Sequence, residues 1–273
     1  MRFIDSLGAA FVAFVRYTLL LLGLLYLSVK VMWTDRAFGQ RAFGREVLRQ
    51  IYFTGVQAAG PVIVLALAVG AFAVVEGVGG IGSLSGAESL GQMVTLVVLR
   101  DVAPLLTGIV VIVRSVTAIA AELGVMRVQR EIEALEVMGI SPIRLLVTPR
   151  IVGGLLSLFA LNVLFNAVAL LGGFAIGWLL VAIPFKLFAS AMFSAVSPAD
   201  IVAFSLKIMV GGVGVFLIAC YHGLGVDRSP TEVPVAVSRA ALVSVVFLVM
   251  LHATVSLTTV LSSGTGRLLG GVL

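Results

Sequence analysis

The chain has 273 residues, of which 60% are hydrophobic and only 11% charged, and its mean hydropathy is +1.20. A soluble domain of this size cannot hide so much apolar surface, so the composition predicts an all-α membrane protein. The net charge of +5 is explained by arginines that anchor loops at one membrane face. The sequence has no basic patch interleaved with aromatic residues, so nucleic-acid binding is not indicated. Cys220 is the single cysteine, which excludes a disulfide framework.

The N-terminal segment, residues 7–33, is apolar but ambiguous. Its uninterrupted apolar run, residues 17–29, is about 13 residues long, whereas a spanning helix needs roughly 20. The flanking Arg16 and Lys30 suit a helix that lies in the interface with its apolar face down. A spanning helix is the alternative, if Arg16 snorkels. We expect an interfacial helix and a basic connector over residues 1–52, followed by a transmembrane domain over residues 53–273.

Five apolar segments then follow that are long enough to cross a bilayer: residues 56–75, 92–121, 145–183, 201–221 and 240–261. The loops on one side, 33–52, 122–150 and 223–240, hold ten arginines, whereas those on the other side, 76–91, 184–200 and 262–273, hold one Lys and one Arg. By the positive-inside rule the arginine-rich loops are cytoplasmic. The N-terminus is then cytoplasmic and the C-terminus lies outside.

The cytoplasmic stretch between the second and third spans, residues 122–142, alternates charged and apolar residues. Its apolar residues have helical spacing and are Val128, Ile132, Leu135 and Met138. Gly139 favours a helix stop, and Ser141 followed by Pro142 favours an immediate restart. We therefore expect a short amphipathic helix whose apolar stripe is covered by another protein.

The second span carries charges at membrane depth: Arg100, Asp101 and Arg114. Arg100 and Arg114 are 14 residues apart, close to four turns, so they are expected on one side of the helix. Such charges are costly unless they face a partner or a wet cavity, and Lys207 in the fourth span could meet them. Two interpretations stay equal. One is a local Arg100–Asp101 pair, with Arg114 bound to backbone carbonyls; the other is a cavity for a polar or anionic head group.

Motifs for catalysis and nucleotide binding are missing from the sequence. It has no G-x-x-x-x-G-K-[ST], no H-E-x-x-H and no G-x-S-x-G, and its two histidines, His222 and His252, are far apart. A membrane-embedded enzyme is therefore the least favoured class, and no metal site is expected. If the protein moves a solute uphill, the energy must come from another chain or from an ion gradient.

Long sequence motifs resemble those of the MlaE-like permease family, the membrane subunits of bacterial ABC transporters that work with MCE-domain proteins. They are L-R-D-V-A-P-L-L from Leu99, A-E-L-G-V-M-R-V from Ala121, I-E-A-L-E-V-M-G-I-S-P from Ile132, and Y-H-G from Tyr221. The resemblance covers residues 49–261. The chain departs from the family at Asp101, where Glu is common, and in the loop between Tyr221 and Arg239, which is longer than usual.

The resemblance implies a homodimeric permease in the bacterial inner membrane that moves phospholipid or a related lipid to or from an extracytoplasmic MCE-type carrier. A separate cytoplasmic ATPase would bind ATP and Mg, this chain would hold no cofactor, and a small cytoplasmic accessory subunit would join. The resemblance also implies that Arg100, Asp101 and Lys207 line a lipid cavity, with Arg114 as an intramembrane charge. The residues implied in ATPase coupling are Glu122, Met126, Val128, Arg130, Ile132, Leu135, Glu136 and Met138. A second cytoplasmic contact is implied for Tyr221 and Arg239.

The alternative is a stand-alone secondary transporter or channel for a polar or anionic solute that uses the same intramembrane charges. This hypothesis leaves the amphipathic cytoplasmic helix unexplained, and the spans carry too few carboxylates for an evident proton or sodium relay. An active protein that works without an ATPase would favour it.

Overall fold

A computed structural model of the chain describes residues 2–34, 40–81, 98–181, 186, 189–190, 194, 197–227 and 229–270. Its helices are α1 (Arg2–Thr34), α2 (Gln40–Ile51), α3 (Gln57–Ile81), α4 (Ala103–Val111), α5 (Thr117–Val128), α6 (Glu131–Val137), α7 (Thr148–Val181), α8 (Pro198–Leu224) and α9 (Val233–Gly270). Short π-helical turns lead directly into α3, α4, α5 and α7: Tyr52–Val56, Val98–Val102, Ile112–Val116 and Ile143–Val147. A 3₁₀ turn, Pro230–Glu232, precedes α9.

Within the described residues, six helical segments are long and apolar enough to cross a membrane: Val12–Trp33, Arg41–Glu76, Val98–Val128, Ile143–Leu179, Asp200–Leu224 and Pro230–Thr259. The predicted all-α membrane architecture is thereby confirmed. Since α2 continues through a π-helical turn into α3, the domain boundary expected at residue 52 falls inside one continuous helical run. The loops expected at 76–91 and 184–200 lie largely outside the described residues.

The long helices form one bundle in which α3 packs along α7 and α8 packs along α9. Helix α4 contacts α7, α8 and α9, and α5 contacts α8 and α9. The closest approach is between α3 and α7, where a Cβ on Gly70 would lie only 2.1 Å from the carbonyl oxygen of Ala169. On the facing helix, a Cβ on Gly173 would lie 3.2 Å from the carbonyl oxygen of Gly70. The glycines of these spans therefore let two backbones touch.

The two ends of the bundle carry different polar clusters. The end that contains Arg49, Glu122, Arg150 and Tyr221 is called the arginine-rich end, because the arginine-rich loops join the helices there. The opposite end contains Arg100, Asp101, Asp200 and Lys207, which are linked by ion pairs. The positive-inside rule assigns the arginine-rich end to the cytoplasm.

Helix α1 packs against the arginine-rich end. The rings of Tyr17 and Tyr221 meet edge to face with centroids 5.0 Å apart, and the Tyr17 hydroxyl lies 3.3 Å from Nε2 of His222. Helix α1 also contacts Ile143–Val147, the turn that begins the α7 run at the same end. These contacts fit the interfacial position expected from the sequence. Its length does not require that position, however, because the helix continues through Arg16 and Lys30 and is long enough to cross.

The stretch expected in the cytoplasm is built differently from the helix predicted over residues 122–142. Helix α5 runs on to Val128, so Glu122 belongs to the last turns of a spanning segment. Arg130 then adopts a left-handed conformation with φ of 60° and breaks the helix, which leaves α6 with only seven residues. Its end and the restart after it are as predicted, since Pro142 is again helical and leads into the turn Ile143–Val147. Gly139 has φ of +73°, and the N–H groups of Gly139 and Ile140 bond the carbonyls of Glu136 and Leu135 at 3.0 and 2.9 Å. Residues 129–142, which include α6, are called the arm.

Candidate functional site

At the opposite end, Lys207 of α8 is the centre of a charged cluster. Its Nζ donates to Oδ1 of Asp101 at 2.7 Å, to the Arg100 carbonyl oxygen at 2.8 Å and to Oγ of Ser256 at 2.9 Å. An ammonium group has three protons, and here each has an acceptor. The Lys207 side chain is 0% exposed, so this charge is tolerated because it is paired and fully hydrogen-bonded.

The Asp101 carboxylate is held on its inner side and open on the other. Its Oδ1 accepts from Lys207 and also from the Ser256 hydroxyl at 2.5 Å. The side chain is nevertheless 48% exposed. Asp101 therefore presents a fixed carboxylate at the surface of the bundle, with the lysine behind it.

Arg100 extends the cluster to a fourth charge. Its guanidinium donates to the Thr259 hydroxyl of α9 and lies 3.7 Å from Oδ1 of Asp200. Asp200 is itself fixed by a capping box at the start of α8, in which the Ser197 N–H donates to Oδ2 of Asp200 at 3.1 Å. Two positive and two negative charges thus alternate across two helical segments, and α9 contributes the neutral hydroxyls of Ser256 and Thr259.

The structure brings together Arg100, Asp101 and Lys207, as the sequence predicted. It does not form the local Arg100–Asp101 ion pair that was one of the two interpretations. Asp101 pairs with Lys207 across the bundle, and Arg100 lies against Asp200. Sequence reasoning missed Asp200, Ser256 and Thr259. The run Ser197-Pro-Ala-Asp200 carries a capping-box signature, and the i, i+3 spacing of Ser256 and Thr259 places both on one face of α9.

Arg114 lies apart from this cluster. Its guanidinium donates to Oε1 of Gln57 on α3 at 3.0 Å, whereas Arg100 faces α8 and α9. The expectation that both arginines share one side is not met. Each lies in a π-helical turn, which adds a residue to the turn and rotates later side chains by roughly 100° relative to an ideal α-helix.

The arm presents a different apolar surface from the one expected. Ile132 is 3% exposed and lies in the chain's own core, where Leu135 and Met126 also pack. The exposed apolar side chains are Val137 (89%), Met138 (63%) and Ile140 (42%). The prediction that Ile132 faces another protein is therefore corrected, because the chain's own core buries it. Leu135 is only partly buried, so its contact with another protein stays a prediction. A periodic stripe shows which face is buried, but not what buries it. Val128 is half-buried, while Arg130 and Glu136 are exposed.

The remaining predicted cytoplasmic residues separate in the structure. Glu122 lies in an ion pair with Arg150, whose Nη2 is 2.8 Å from Oε2 of Glu122. Tyr221 is half-buried against Tyr17 of α1, so its ring attaches α1 to the bundle. Arg239 is exposed on α9. Among the described residues, no group of three or more His, Cys, Asp or Glu side chains is placed to hold a metal ion.

Comparison with known proteins points to a single family. The family model described as permease MlaE matches residues 47–258. The intermembrane phospholipid transport system permease protein MlaE of Haemophilus influenzae is 30% identical over 187 residues, which cover 68% of this chain and 71% of that protein. A probable ABC transporter permease protein of Rickettsia prowazekii is 27% identical over 72% of this chain and 79% of its own. The chloroplastic protein TRIGALACTOSYLDIACYLGLYCEROL 1 of Arabidopsis thaliana is 28% identical over 74% of this chain and 58% of its own.

Proposed function

The chain belongs to the MlaE permease family, and on that premise we propose that it moves phospholipid between the bacterial inner membrane and an extracytoplasmic MCE-type carrier. The chain is a multi-pass membrane protein. In the proposal, the arginine-rich end and the N-terminus lie in the cytoplasm and the C-terminus lies in the periplasm. Family membership does not favour the stand-alone secondary transporter or channel.

The observation that carries the proposal is the pairing of a buried Lys207 with an exposed Asp101. A lipid head group that reaches the opposite end meets the Asp101 carboxylate and the 22% exposed Arg100 side chain. Lys207 holds Asp101 from behind and takes no direct part in contact with the lipid. Ionisable groups at membrane depth are typical of substrate pathways, and fixed partners keep such groups in one geometry.

The energy is proposed to come from a separate ATPase that binds ATP and Mg, because the sequence has no nucleotide motif. The contact with that ATPase is assigned to the exposed Val137, Met138 and Ile140 of the arm. Arg130 and Glu136 are also exposed, and the proposal assigns them to the polar rim that protein interfaces generally have. Arg239 provides the second contact. A second copy of the chain and a small cytoplasmic accessory subunit complete the proposed assembly, which involves no nucleic acid.

The test is photocrosslinking in nanodiscs that contain the complex of this chain with its ATPase. A benzophenone residue at Val102, next to Asp101, is compared with one at Val64 on α3, which is 69% exposed and marks ordinary contact with bilayer lipid. ATP turnover should change phospholipid capture at Val102 and leave capture at Val64 unchanged. If phospholipid capture is the same with and without ATP turnover at both positions, the result would argue against a lipid pathway at this cluster.

A further inference from the structure

Arg150, in the first turn of α7, is a buried charge at the arginine-rich end. It is 1% exposed and is the largest of the fully buried side chains among the described residues. Its Nη2 lies 2.8 Å from Oε2 of Glu122, and its Nη1 donates to the Leu146 carbonyl oxygen at 2.7 Å. A guanidinium stays charged in proteins, so the fold must supply its counter-charge, and Glu122 is that counter-charge.

Glu122 links Arg150 to a third helix. Its second oxygen, Oε1, lies 3.5 Å from Nη2 of Arg49 on α2. Nη1 of the same arginine lies 3.4 Å from Oε1 of Glu46, one turn earlier on α2. The Arg49 side chain is 66% exposed, so solvent weakens this outer contact, and the Arg150 pair is the stronger one. One carboxylate on α5 thus connects α2 and α7.

The position of this pair in the chain makes it more than a packing contact. Glu122 precedes the arm and Arg150 follows it, so their ion pair closes the base of the arm. Next to the pair, a Cβ on Gly223 of α8 would lie 2.8 Å from Cβ of Leu123. The end of α5 is therefore closely packed against α8 at this point. While the Glu122–Arg150 ion pair is intact, a movement of the arm therefore displaces the adjoining ends of α2, α7 and α8 together.

We propose that Arg150 is a positioning residue for transport. Through Glu122 it keeps the base of the arm rigid, so that a movement imposed on α6 by the ATPase moves the ends of α2, α7 and α8 as one unit. Without the pair the arm bends at its base, and ATP hydrolysis is no longer converted into lipid movement. This inference rests on the proposed function.

The experiment uses proteoliposomes that contain the complex of this chain with its ATPase and a trace of NBD-labelled phosphatidylethanolamine. ATP hydrolysis and lipid transfer are measured in the same sample. We expect R150M to keep the ATPase bound and to keep hydrolysis within about twofold, while lipid moved per ATP falls about tenfold, as for loss of a typical coupling between sites. R150K, which keeps the charge, should retain an intermediate ratio. R41Q removes an exposed charge from α2 and should leave the ratio unchanged.

A double variant, E122L/R150M, separates positioning from stability. Only Arg150 is buried in this pair, since the Glu122 side chain is 42% exposed. The double variant removes the buried guanidinium together with its partner and leaves no unpaired charge in the interior, so it should recover wild-type thermal stability. Its lipid-to-ATP ratio should stay low, because the apolar pair does not fix the arm's direction. Recovery of both stability and ratio, or a wild-type ratio in R150M, would overturn the inference. A wild-type complex that hydrolyses ATP but moves no phospholipid would instead contradict the proposed function.

Discussion

The Lys207 ammonium lies 2.7 Å from the Asp101 carboxylate, yet only one member of this pair is shielded from the surroundings. The lysine side chain is 0% exposed, whereas the aspartate side chain is 48% exposed. The two residues are therefore unequal partners. Removing the Asp101 carboxylate leaves the Lys207 ammonium buried without a counter-charge. Removing the Lys207 ammonium leaves the Asp101 carboxylate, which polar surroundings can still solvate.

We expect this asymmetry to appear in stability. D101L leaves the Lys207 ammonium without a counter-charge, which costs about 3 kcal/mol of unfolding free energy for a buried pair. K207M leaves a half-exposed carboxylate, and the expected loss is about 1 kcal/mol. The double variant D101L/K207M should be more stable than D101L alone. Denaturant unfolding of the detergent-solubilised protein measures all three, and a larger loss in K207M than in D101L would contradict the assignment of the buried partner.

The backbone contact between α3 and α7 gives a second prediction. In G70A the new methyl group would lie 2.1 Å from the Ala169 carbonyl oxygen, so the helices must separate, at a cost of about 1–3 kcal/mol. Gly44 lies within α2, and a methyl group added there would have no neighbour within 4 Å outside its own helical turns, so G44A should be neutral or stabilising by up to about 1 kcal/mol. Thermal unfolding midpoints of the two variants test this difference. Equal midpoints would show that the two helices do not touch at Gly70.

The arm gives a third prediction, which separates binding from folding. V137D alters a side chain that is 89% exposed, so stability should change by less than about 0.5 kcal/mol, while copurification of the ATPase should fall sharply. L135D places a charge among residues of the chain's own core and should lower stability instead. Thermal unfolding and the amount of bound ATPase are measured on each. Normal ATPase binding by V137D would contradict the proposed contact between the ATPase and the exposed apolar residues of the arm.

The sequence predicted the opposite-end cluster in part, and the reason is physical. Charges at membrane depth need partners, so Arg100, Asp101 and Lys207 could be brought together without coordinates. Asp200 could not be added, because an acidic residue at the third position of a helix has an ordinary capping role. The π-helical turns have no clear sequence signal, and they moved Arg114 away from the side expected for it.

The arm shows a different limit of sequence reasoning. Periodicity correctly identified an apolar stripe that contains Ile132 and Leu135, and Gly139 correctly marked the end of the helix. The break at Arg130 was not predictable, because arginine has no preference for the left-handed conformation. Nor does a stripe reveal whether the same chain or another covers it. The exposed Val137 therefore became visible only in the structure.

The position of α1 gives the last prediction. Val12 and Trp33 are both exposed and lie at the two ends of a segment about 32 Å long, which matches the hydrocarbon thickness of a bilayer. If α1 spans, cysteines at these positions face opposite sides of the membrane. If it lies along the arginine-rich end, as its contacts with Tyr221 and Ile143–Val147 indicate, both face the cytoplasm.

We expect a membrane-impermeant maleimide to label V12C and W33C only from the cytoplasmic side. The fully buried Cys220 is replaced by alanine in this background. V137C on the arm serves as the cytoplasmic marker, and K186C, at an exposed residue of the other loop set, serves as the external one. Labelling of V12C and W33C from opposite sides would establish a spanning α1. With the arginine-rich end in the cytoplasm, as the positive-inside rule predicts, a spanning α1 would place the N-terminus on the outside.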